Sequence, residues 1–440
     1  MKIYFLTAAM LLSVAGATAQ TEESWWKEFG DATLDSLVTR GLEANYELGA
    51  AVNRIGVARA AVGQAKAAYW PTVGVSAGWC RTGISRVAER GTGTDATWTS
   101  AFNGEATLSW EPDVFGKITA QVKARKADVR VTRAEFEGVR LSIASAIAQT
   151  YISLRMSQSL YAVAKEHEAS QSRVLDMVLA RFEAGLASKL DVAQARTVYF
   201  STRARVPLLM SEIDTYVNAL GVLLACGPEG LPGEVTAPGA MPGYDRLVPA
   251  EVPLDLVRRR PDVAQAQATI ESAAAALGVA KKDYLPSLTV QGSIGTQAHL
   301  ARDLFTGRSL IYTVTPTLSW TVFDGLGRRY ATEGARQAME ADIALYNQTV
   351  LTAVQESANA ISNYHRSVEY IRTLAEVIEQ CREALKLSVD LYKEGLTPFS
   401  NVVDAQMNLL EYQSTDVQAR GRALGALVNF HKAIGGSIAQ

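Results

Sequence analysis

Four segments of the chain alternate between apolar and polar residues with a period of two, which is the pattern of a β-strand with two unlike faces. They lie near residues 72–80, 102–110, 288–294 and 310–320. In the first segment, apolar residues at the odd positions from Val73 to Trp79 alternate with Thr, Gly and Ser. Lengths of about 9–11 residues suit tilted strands that cross a bilayer. Alternation alone also fits a small soluble sheet with one wet face.

Two long segments instead carry apolar residues three and four positions apart, as in Ile143, Ile147, Tyr151 and Leu154. This spacing predicts amphipathic helices over residues 117–183 and 328–393. At about 1.5 Å per residue the first would be roughly 100 Å long, whereas a typical globular helix has about 11–12 residues. Helices of this length are typical of coiled coils or of long struts.

Each long helix is followed by a similar passage, EAGLASKLDVAQA at 183–195 and KEGLTPFSNVVDA at 393–405. Glycine tolerates the left-handed conformation that ends a helix, so each passage predicts the turn of a helical hairpin. Gly185 and Gly395 are 395 − 185 = 210 residues apart. Trp110 and Trp320 have the same offset, 320 − 110 = 210. We therefore predict an internal two-fold repeat.

The repeat divides the chain into two halves joined by a linker. Residues 20–225 form the predicted first half, with a helix, a β-hairpin at 72–111 and a helical hairpin that turns near 185. Residues 226–250 are rich in Pro and Gly and form the predicted linker. Residues 251–440 form the second half, with a helix, a β-hairpin at 287–321 and a turn near 395.

The two halves differ in one loop. Pro71 and Pro286 match at an offset of 286 − 71 = 215, whereas the tryptophans match at 210. The first half therefore has 215 − 210 = 5 more residues between its proline and its tryptophan. We place them in a polar, Gly-rich loop near Ser85 to Thr97, which resembles the extracellular loops of membrane barrels.

The first residues predict export from the cytoplasm. Lys2, a short apolar stretch and Ala17-Thr18-Ala19 follow the pattern of a cleaved signal peptide over residues 1–19. No later segment has the length and apolarity of a membrane-spanning helix. Four strands cannot close a barrel, and lipid does not tolerate open sheet edges, so strands in a bilayer would require an oligomer.

Composition and motifs argue against nucleic-acid binding and catalysis. The net charge of −2 provides no basic field for nucleic acid. The four histidines have no carboxylate or cysteine at metal-ligand spacing, so we expect no metal and no cofactor. The sequence contains no nucleophile elbow, P-loop or dinucleotide fingerprint. Its three cysteines do not form a disulfide framework.

The ordered set of motifs resembles the outer-membrane efflux protein family, the TolC-type exit ducts, and most closely its drug-efflux (OprM/NodT-like) branch. The resemblance rests on the two Gly-Leu turns, the strand ends WEPDVFGK and WTVFDGLGR, the helix start RRRPDV and the strand entry YLPSL. It covers nearly the whole mature chain. It implies a mainly α fold with transmembrane β-strands: a homotrimer with a twelve-stranded outer-membrane barrel in lipid and a helical trans-periplasmic tunnel.

The resemblance also implies a function and partners. The chain would be the passive outer-membrane channel of a tripartite efflux or xenobiotic-export system. A periplasmic adaptor (membrane fusion) protein and an inner-membrane transporter of the resistance-nodulation-division type would be its partners. The alternative hypothesis is a soluble periplasmic coiled-coil scaffold. The drug-efflux branch often has a lipidated N-terminal cysteine, which we expect to be absent here.

The residues of this sequence that match the family's periplasmic end form the candidate site. Gly185, Leu186, Gly395 and Leu396 match the hairpin turns that contact the adaptor. Each glycine also fits the simpler role of a helix cap.

Four further residues match the family's closed periplasmic end. Asp191 and Tyr392 match a pair that ties hairpins together in the closed state. Asp404 and Asn401 match two acidic positions at the periplasmic constriction, with asparagine at one of them. We therefore expect one acidic ring instead of two. An isolated Asp is more often a solvated helix residue.

Overall fold

The computed structural model describes residues 25–83, 98–243 and 257–436. The predicted signal segment, the predicted loop near Ser85 to Thr97 and residues 244–250 of the predicted linker lie outside the described residues. Within the described ranges the helices are α1 (Ala32–Ala44), α2 (Tyr46–Ala67), α3 (Lys117–Glu183), α4 (Lys189–Leu223), α5 (Gly233–Thr236), α6 (Pro261–Lys282), α7 (Gly327–Lys393) and α8 (Phe399–Ala433). The strands are β1 (Thr72–Gly83), β2 (Trp98–Trp110), β3 (Ser287–Ala298) and β4 (Leu310–Ser319). Short 3₁₀ helices cover Trp25–Phe29, Pro228–Gly230 and Ala301–Asp303.

The mainly helical prediction and all four predicted strands are confirmed. The two long helices, α3 and α7, have 67 residues each, and α4 and α8 have 35 each. α3 occupies the predicted residues, and α7 begins one residue earlier than predicted, at Gly327. Across the part of the chain that the structure describes, no helix combines the length and apolarity needed to span a membrane.

The four strands form one antiparallel sheet in the order β1-β2-β3-β4. Directly paired residues of antiparallel strands lie on the same face of a sheet. One row across the sheet joins Val75, Ala106, Ile294 and Tyr312. The neighbouring polar row joins Gly74, Thr107, Ser293 and Thr313. The register therefore combines the four alternating patterns into one apolar face and one polar face.

A tryptophan at the end of each β-hairpin is bonded to the turn between the preceding helix and the hairpin. The indole nitrogen of Trp110 donates a hydrogen bond to the Tyr69 carbonyl oxygen at 3.0 Å. Trp320 donates to the Tyr284 carbonyl oxygen at 3.1 Å. An indole N–H near the end of a strand thus satisfies a carbonyl in the turn that follows the preceding helix.

The described residues form two compact units. The first contains residues up to 48, 138–260 and those from 352 onward. Its core includes Leu34, Ile147, Leu220 and Leu424, which are fully buried on α1, α3, α4 and α8. At Gly41 of α1, an added Cβ would lie 2.2 Å from Cδ1 of Ile147, so a larger residue there would force the Ile147 side chain to move.

A buried arginine links three segments of this first unit. Arg155 of α3 is 4% exposed and donates to the Glu234 and Ala237 carbonyl oxygens at 2.8 and 2.9 Å. Its Nε donates to the hydroxyl of Tyr151 at 3.0 Å. Tyr151 in turn donates to Asp31 Oδ2 at 2.7 Å, and Asp31 caps α1. Burial, and then the hydrogen bond to Asp31, raises the pKa of Tyr151 to about 12.

The second unit contains residues 49–137 and 261–351, which include the sheet, α6, most of α2 and parts of α3 and α7. Ion pairs connect α3 to α6 and to Asp283, the residue directly after α6. Lys117 Nζ lies 2.7 Å from Asp283 Oδ1, and Arg130 pairs with Glu271. These side chains are about half exposed, so their ion pairs contribute little free energy of unfolding.

Candidate functional site

The two helical hairpins turn through the same backbone motif. The N–H of Gly185 donates to the Phe182 carbonyl and that of Leu186 donates to the Arg181 carbonyl, at 3.0 and 2.8 Å. In the second turn, Gly395 donates to Tyr392 and Leu396 to Leu391, at 3.0 and 2.9 Å. This pair of bonds defines a Schellman cap, in which glycine takes positive φ. Gly185 and Gly395 have φ of +73° and +74°.

Each turn presents an exposed leucine. Leu186 is 65% exposed and Leu396 is 74% exposed. A hydrophobic residue directly after the cap glycine often packs against its own helix, but these two leucines leave most of their surface uncovered within the chain. The two turns therefore place two apolar side chains on the surface of the first unit.

Asp191 and Tyr392 lie together, although they are 201 residues apart in the sequence. The Tyr392 hydroxyl donates to Asp191 Oδ2 at 3.2 Å. Asp191 also forms a capping box with Ser188 at the start of α4, because it accepts from the Ser188 N–H and Ser188 Oγ accepts from the Asp191 N–H. The capping box fixes the carboxylate in the position where it meets Tyr392.

Tyr392 is enclosed by groups from the other hairpin helices. Its side chain is buried, and the Arg181 guanidinium lies 5.2 Å from its ring centroid. Phe399 of α8 contacts the ring at a centroid distance of 5.1 Å. Burial, and then the negative charge of Asp191, raises the pKa of the Tyr392 hydroxyl. The hydroxyl therefore stays protonated and able to donate at neutral pH.

An apolar core lies beneath this contact. It contains buried residues from α3, α4, α7 and α8: Val178, Val192, Ala195, Tyr392, Phe399 and Val402. The four helix ends are therefore packed together within one chain, and the Tyr392–Asp191 bond lies at the margin of their core.

Asn401 and Asp404 are both exposed, in the first turns of α8. Asn401 Nδ2 donates to Thr397 Oγ1 at 2.6 Å. Asn401 lies 401 − 191 = 210 residues after Asp191, which is the offset of the predicted repeat. It does not reproduce the capping box, because Pro398 is the N-cap residue of α8 and offers no side-chain bond.

The sequence interpretation overlooked Arg181. Arg181 Nη1 donates to the Lys393 carbonyl oxygen at 2.6 Å, so the residue bonds the end of α7 while covering Tyr392. No local pattern marked it, because its partner is 212 residues away. Within the described ranges, His, Cys, Asp and Glu form no group of three that could hold a metal ion.

The family model described as outer membrane efflux protein matches residues 37–225 and 252–436. Among curated proteins, nodulation protein T of Rhizobium leguminosarum bv. viciae is 28% identical over 417 residues, covering 94% of this chain and 84% of that protein. The pyoverdine export outer membrane protein OpmQ of Pseudomonas aeruginosa is 28% identical over 436 residues, covering 97% of this chain and 90% of OpmQ.

Among solved structures, the outer-membrane channel OprN superposes with a TM-score of 0.88 at 28% identity, covering 94% of this chain and 92% of OprN. The channel VceC of Vibrio cholerae has a TM-score of 0.83 at 23% identity, a likeness of fold. The family match spans most of the chain and includes both hairpin turns. The chain therefore belongs to the outer membrane efflux protein family, which makes it a transport protein of the bacterial outer membrane that extends into the periplasm and not an enzyme.

Proposed function

We propose that this protein is the passive exit duct of a tripartite efflux system. Three copies would close their four-stranded sheets into one twelve-stranded barrel in outer-membrane lipid, and their helices would form the periplasmic tunnel. An adaptor protein would join the tunnel to an inner-membrane transporter of the resistance-nodulation-division type. That transporter would supply the energy, and the duct would conduct its substrates outward.

The register of the sheet is the observation that carries this proposal. One face exposes Val75, Tyr312 and Val314 at 85, 77 and 70%, which suits contact with lipid. The other face has Thr and Ser on every strand, which suits a water-filled lumen. β1 and β4 are the edges of the sheet within one chain, and lipid excludes open edges. Closure of the sheet with further copies of the chain would give both edge strands a hydrogen-bonding partner.

The two-fold repeat is part of the same proposal. The matched helices α2 and α6 have 22 residues each, and the hairpin helices also match in length. Two similar halves in each of three chains would give a tunnel wall with nearly six-fold symmetry. Such a wall packs equivalent hairpins side by side around one axis. We retain residues 226–250 as the linker between the halves.

We assign the Tyr392–Asp191 contact and Asp404 to the gate. The contact holds the first and second hairpins of one chain together, so its loss would free one hairpin to move. Asp404 is exposed, and three copies facing one axis would form an acidic constriction. Asn401, one helical turn away, would contribute a polar but uncharged ring.

We assign Leu186 and Leu396, with their cap glycines, to adaptor docking. An exposed apolar residue at a rigid turn is a suitable anchor for a partner, because apolar anchors carry much of the energy of an interface. Two matched turns in each of three chains would give six equivalent docking points. The scaffold alternative has no comparable support, because the chain belongs to an outer-membrane family.

Site-specific photo-crosslinking in cells tests this assignment. A photoreactive amino acid at position 186 or 396 is expected to give an adduct with a periplasmic adaptor, identified by mass spectrometry. The matched control is position 222, where Val222 is 78% exposed near the other end of α4. Adaptor adducts at position 222 and none at the turns would refute the docking assignment.

A further inference from the structure

The polar face of the sheet has a single charged side chain among the strand residues that the structure describes. That residue is Glu105, in the middle of β2. The other residues of this face on β1 and β2 are Thr72, Gly74, Ser76, Gly78, Cys80, Thr82, Thr99, Ala101, Asn103, Thr107 and Ser109. On β3 and β4 they are Ser287, Thr289, Gln291, Ser293, Gly295, Gln297, Ile311, Thr313, Thr315, Thr317 and Ser319.

The neighbours of Glu105 provide no compensating charge. The register pairs Glu105 with Ser76 on β1 and with Gly295 on β3. At Gly295 an added Cβ would lie 2.5 Å from the Gly104 carbonyl oxygen and 3.1 Å from Cβ of Glu105. A larger residue therefore does not fit beside this carboxylate. Within the described part of the chain, no Lys, Arg or His pairs with it.

The apolar face also has a single charged residue among the described strand residues, and it is placed very differently. Arg81 lies near the end of β1, where its guanidinium is 5.4 Å from the Trp98 ring centroid. A cation beside an interfacial aromatic is a usual arrangement at the edge of a bilayer. Arg81 is thus on the opposite face from Glu105, so it cannot neutralise the carboxylate within the lumen.

We infer that Glu105 is a cation-selecting residue inside the barrel, separate from the acidic position at the periplasmic end. The inference rests on the proposed function, because it requires the polar face to line the lumen of a trimer. Three copies would then place three carboxylates at one height on an otherwise uncharged wall. A low-dielectric wall with charge of one sign concentrates counter-ions and repels co-ions. Cationic and neutral substrates would pass this level more readily than anionic ones.

Reversal potentials across a planar bilayer with purified trimer measure this selectivity. Glu105→Gln is expected to lower the K⁺ to Cl⁻ permeability ratio by about fivefold at 0.01 M salt, where charges act over roughly 30 Å. The difference in permeability ratio between wild type and Glu105→Gln should shrink at 1 M salt, where charges act over only about 3 Å.

Two variants distinguish an effect of the Glu105 charge from an effect of the substitution on the structure of the sheet. Glu105→Asp keeps the carboxylate and should keep the wild-type ratio. Asn103→Asp places a carboxylate two residues away on the same face. It should restore the ratio when combined with Glu105→Gln, and raise the ratio when made alone.

The outcomes distinguish this inference from the proposed function. A wild-type trimer that forms no pore contradicts the proposed duct. A conducting Glu105→Gln pore with an unchanged permeability ratio overturns only the role of Glu105. If Glu105→Gln does not assemble, Asn103→Asp made alone tests the inference. An unchanged K⁺ to Cl⁻ permeability ratio in Asn103→Asp would show that charge at this height of the barrel has no effect.

Discussion

The Tyr392 hydroxyl donates a hydrogen bond to the Asp191 carboxylate across 3.2 Å, joining the last turn of α7 to the first turn of α4. The two residues belong to different helical hairpins of the same chain. The bond therefore opposes separation of the hairpins, and the Schellman turns beside it keep each hairpin rigid.

Tyr392→Phe should favour separation of the hairpins. The substitution removes one hydrogen bond to a carboxylate and retains the aromatic packing on Phe399. The loss of about 1 kcal/mol should shift the opening equilibrium about fivefold. Single-channel recordings should show a higher open probability. Tyr370→Phe is the control, because Tyr370 is an exposed residue of the same helix. Equal open probabilities for the two variants would mean that the bond does not hold the gate.

Two substitutions at Gly185 should show whether the turn requires the positive-φ backbone of glycine or only its lack of a side chain. An added Cβ would meet nothing within 4 Å, so Gly185→Ala should cost only about 1–2 kcal/mol, for a left-handed residue. Gly185→Pro cannot take positive φ and loses the N–H that bonds to Phe182. It should abolish efflux in a dye-accumulation assay while trimers still reach the outer membrane. Loss of membrane insertion itself would contradict a role confined to the turn.

Asp404→Ala should weaken block of the open pore by multivalent cations. Three carboxylates at a narrow constriction would attract such ions, and alanine removes that charge. Asn401→Asp should strengthen the block, because it adds a second acidic ring one turn away. Dose-response curves for a trivalent cation in bilayer recordings measure both effects. Wild-type cation sensitivity in Asp404→Ala would show that this residue does not line the constriction.

Tyr151→Phe should destabilise the first unit at neutral pH. Arg155 Nε would lose its buried acceptor, at a cost of about 1–3 kcal/mol. Because folding raises the pKa of Tyr151 from 10.0 to about 12, the stabilisation it provides is fully present below pH 10. It is lost as the pH rises through the folded pKa.

Urea unfolding at pH 8 and near pH 11 measures this effect. The difference in free energy of unfolding between wild type and Tyr151→Phe should narrow at the higher pH. Tyr161→Phe, ten residues further along α3, provides the control. A difference that is the same at both pH values would rule out ionisation of Tyr151 as the cause.

Local patterns predicted much of the fold. The bounds of α3 followed from its apolar spacing, because a long amphipathic helix repeats one signal many times. β2 extended four residues further toward the N-terminus than predicted, to Trp98. Ser100 occupies an apolar-face position there and interrupts the alternation.

The site depended on contacts that no local pattern encodes. Tyr392 and Asp191 were paired only through the family resemblance, since 201 residues separate them. Arg181 and the buried Arg155 were missed, because their acceptors are carbonyl groups of distant segments. Carbonyl acceptors exist at every residue, so a sequence does not mark which of them an arginine will use.

Reconstitution of the purified protein into planar bilayers tests the central claim, a trimeric conduit, most directly. The account predicts particles with the mass of three chains, a uniform conductance step and a higher open probability in Tyr392→Phe. A protein of single-chain mass that leaves the bilayer resistance unchanged, for wild type and Tyr392→Phe alike, would contradict it.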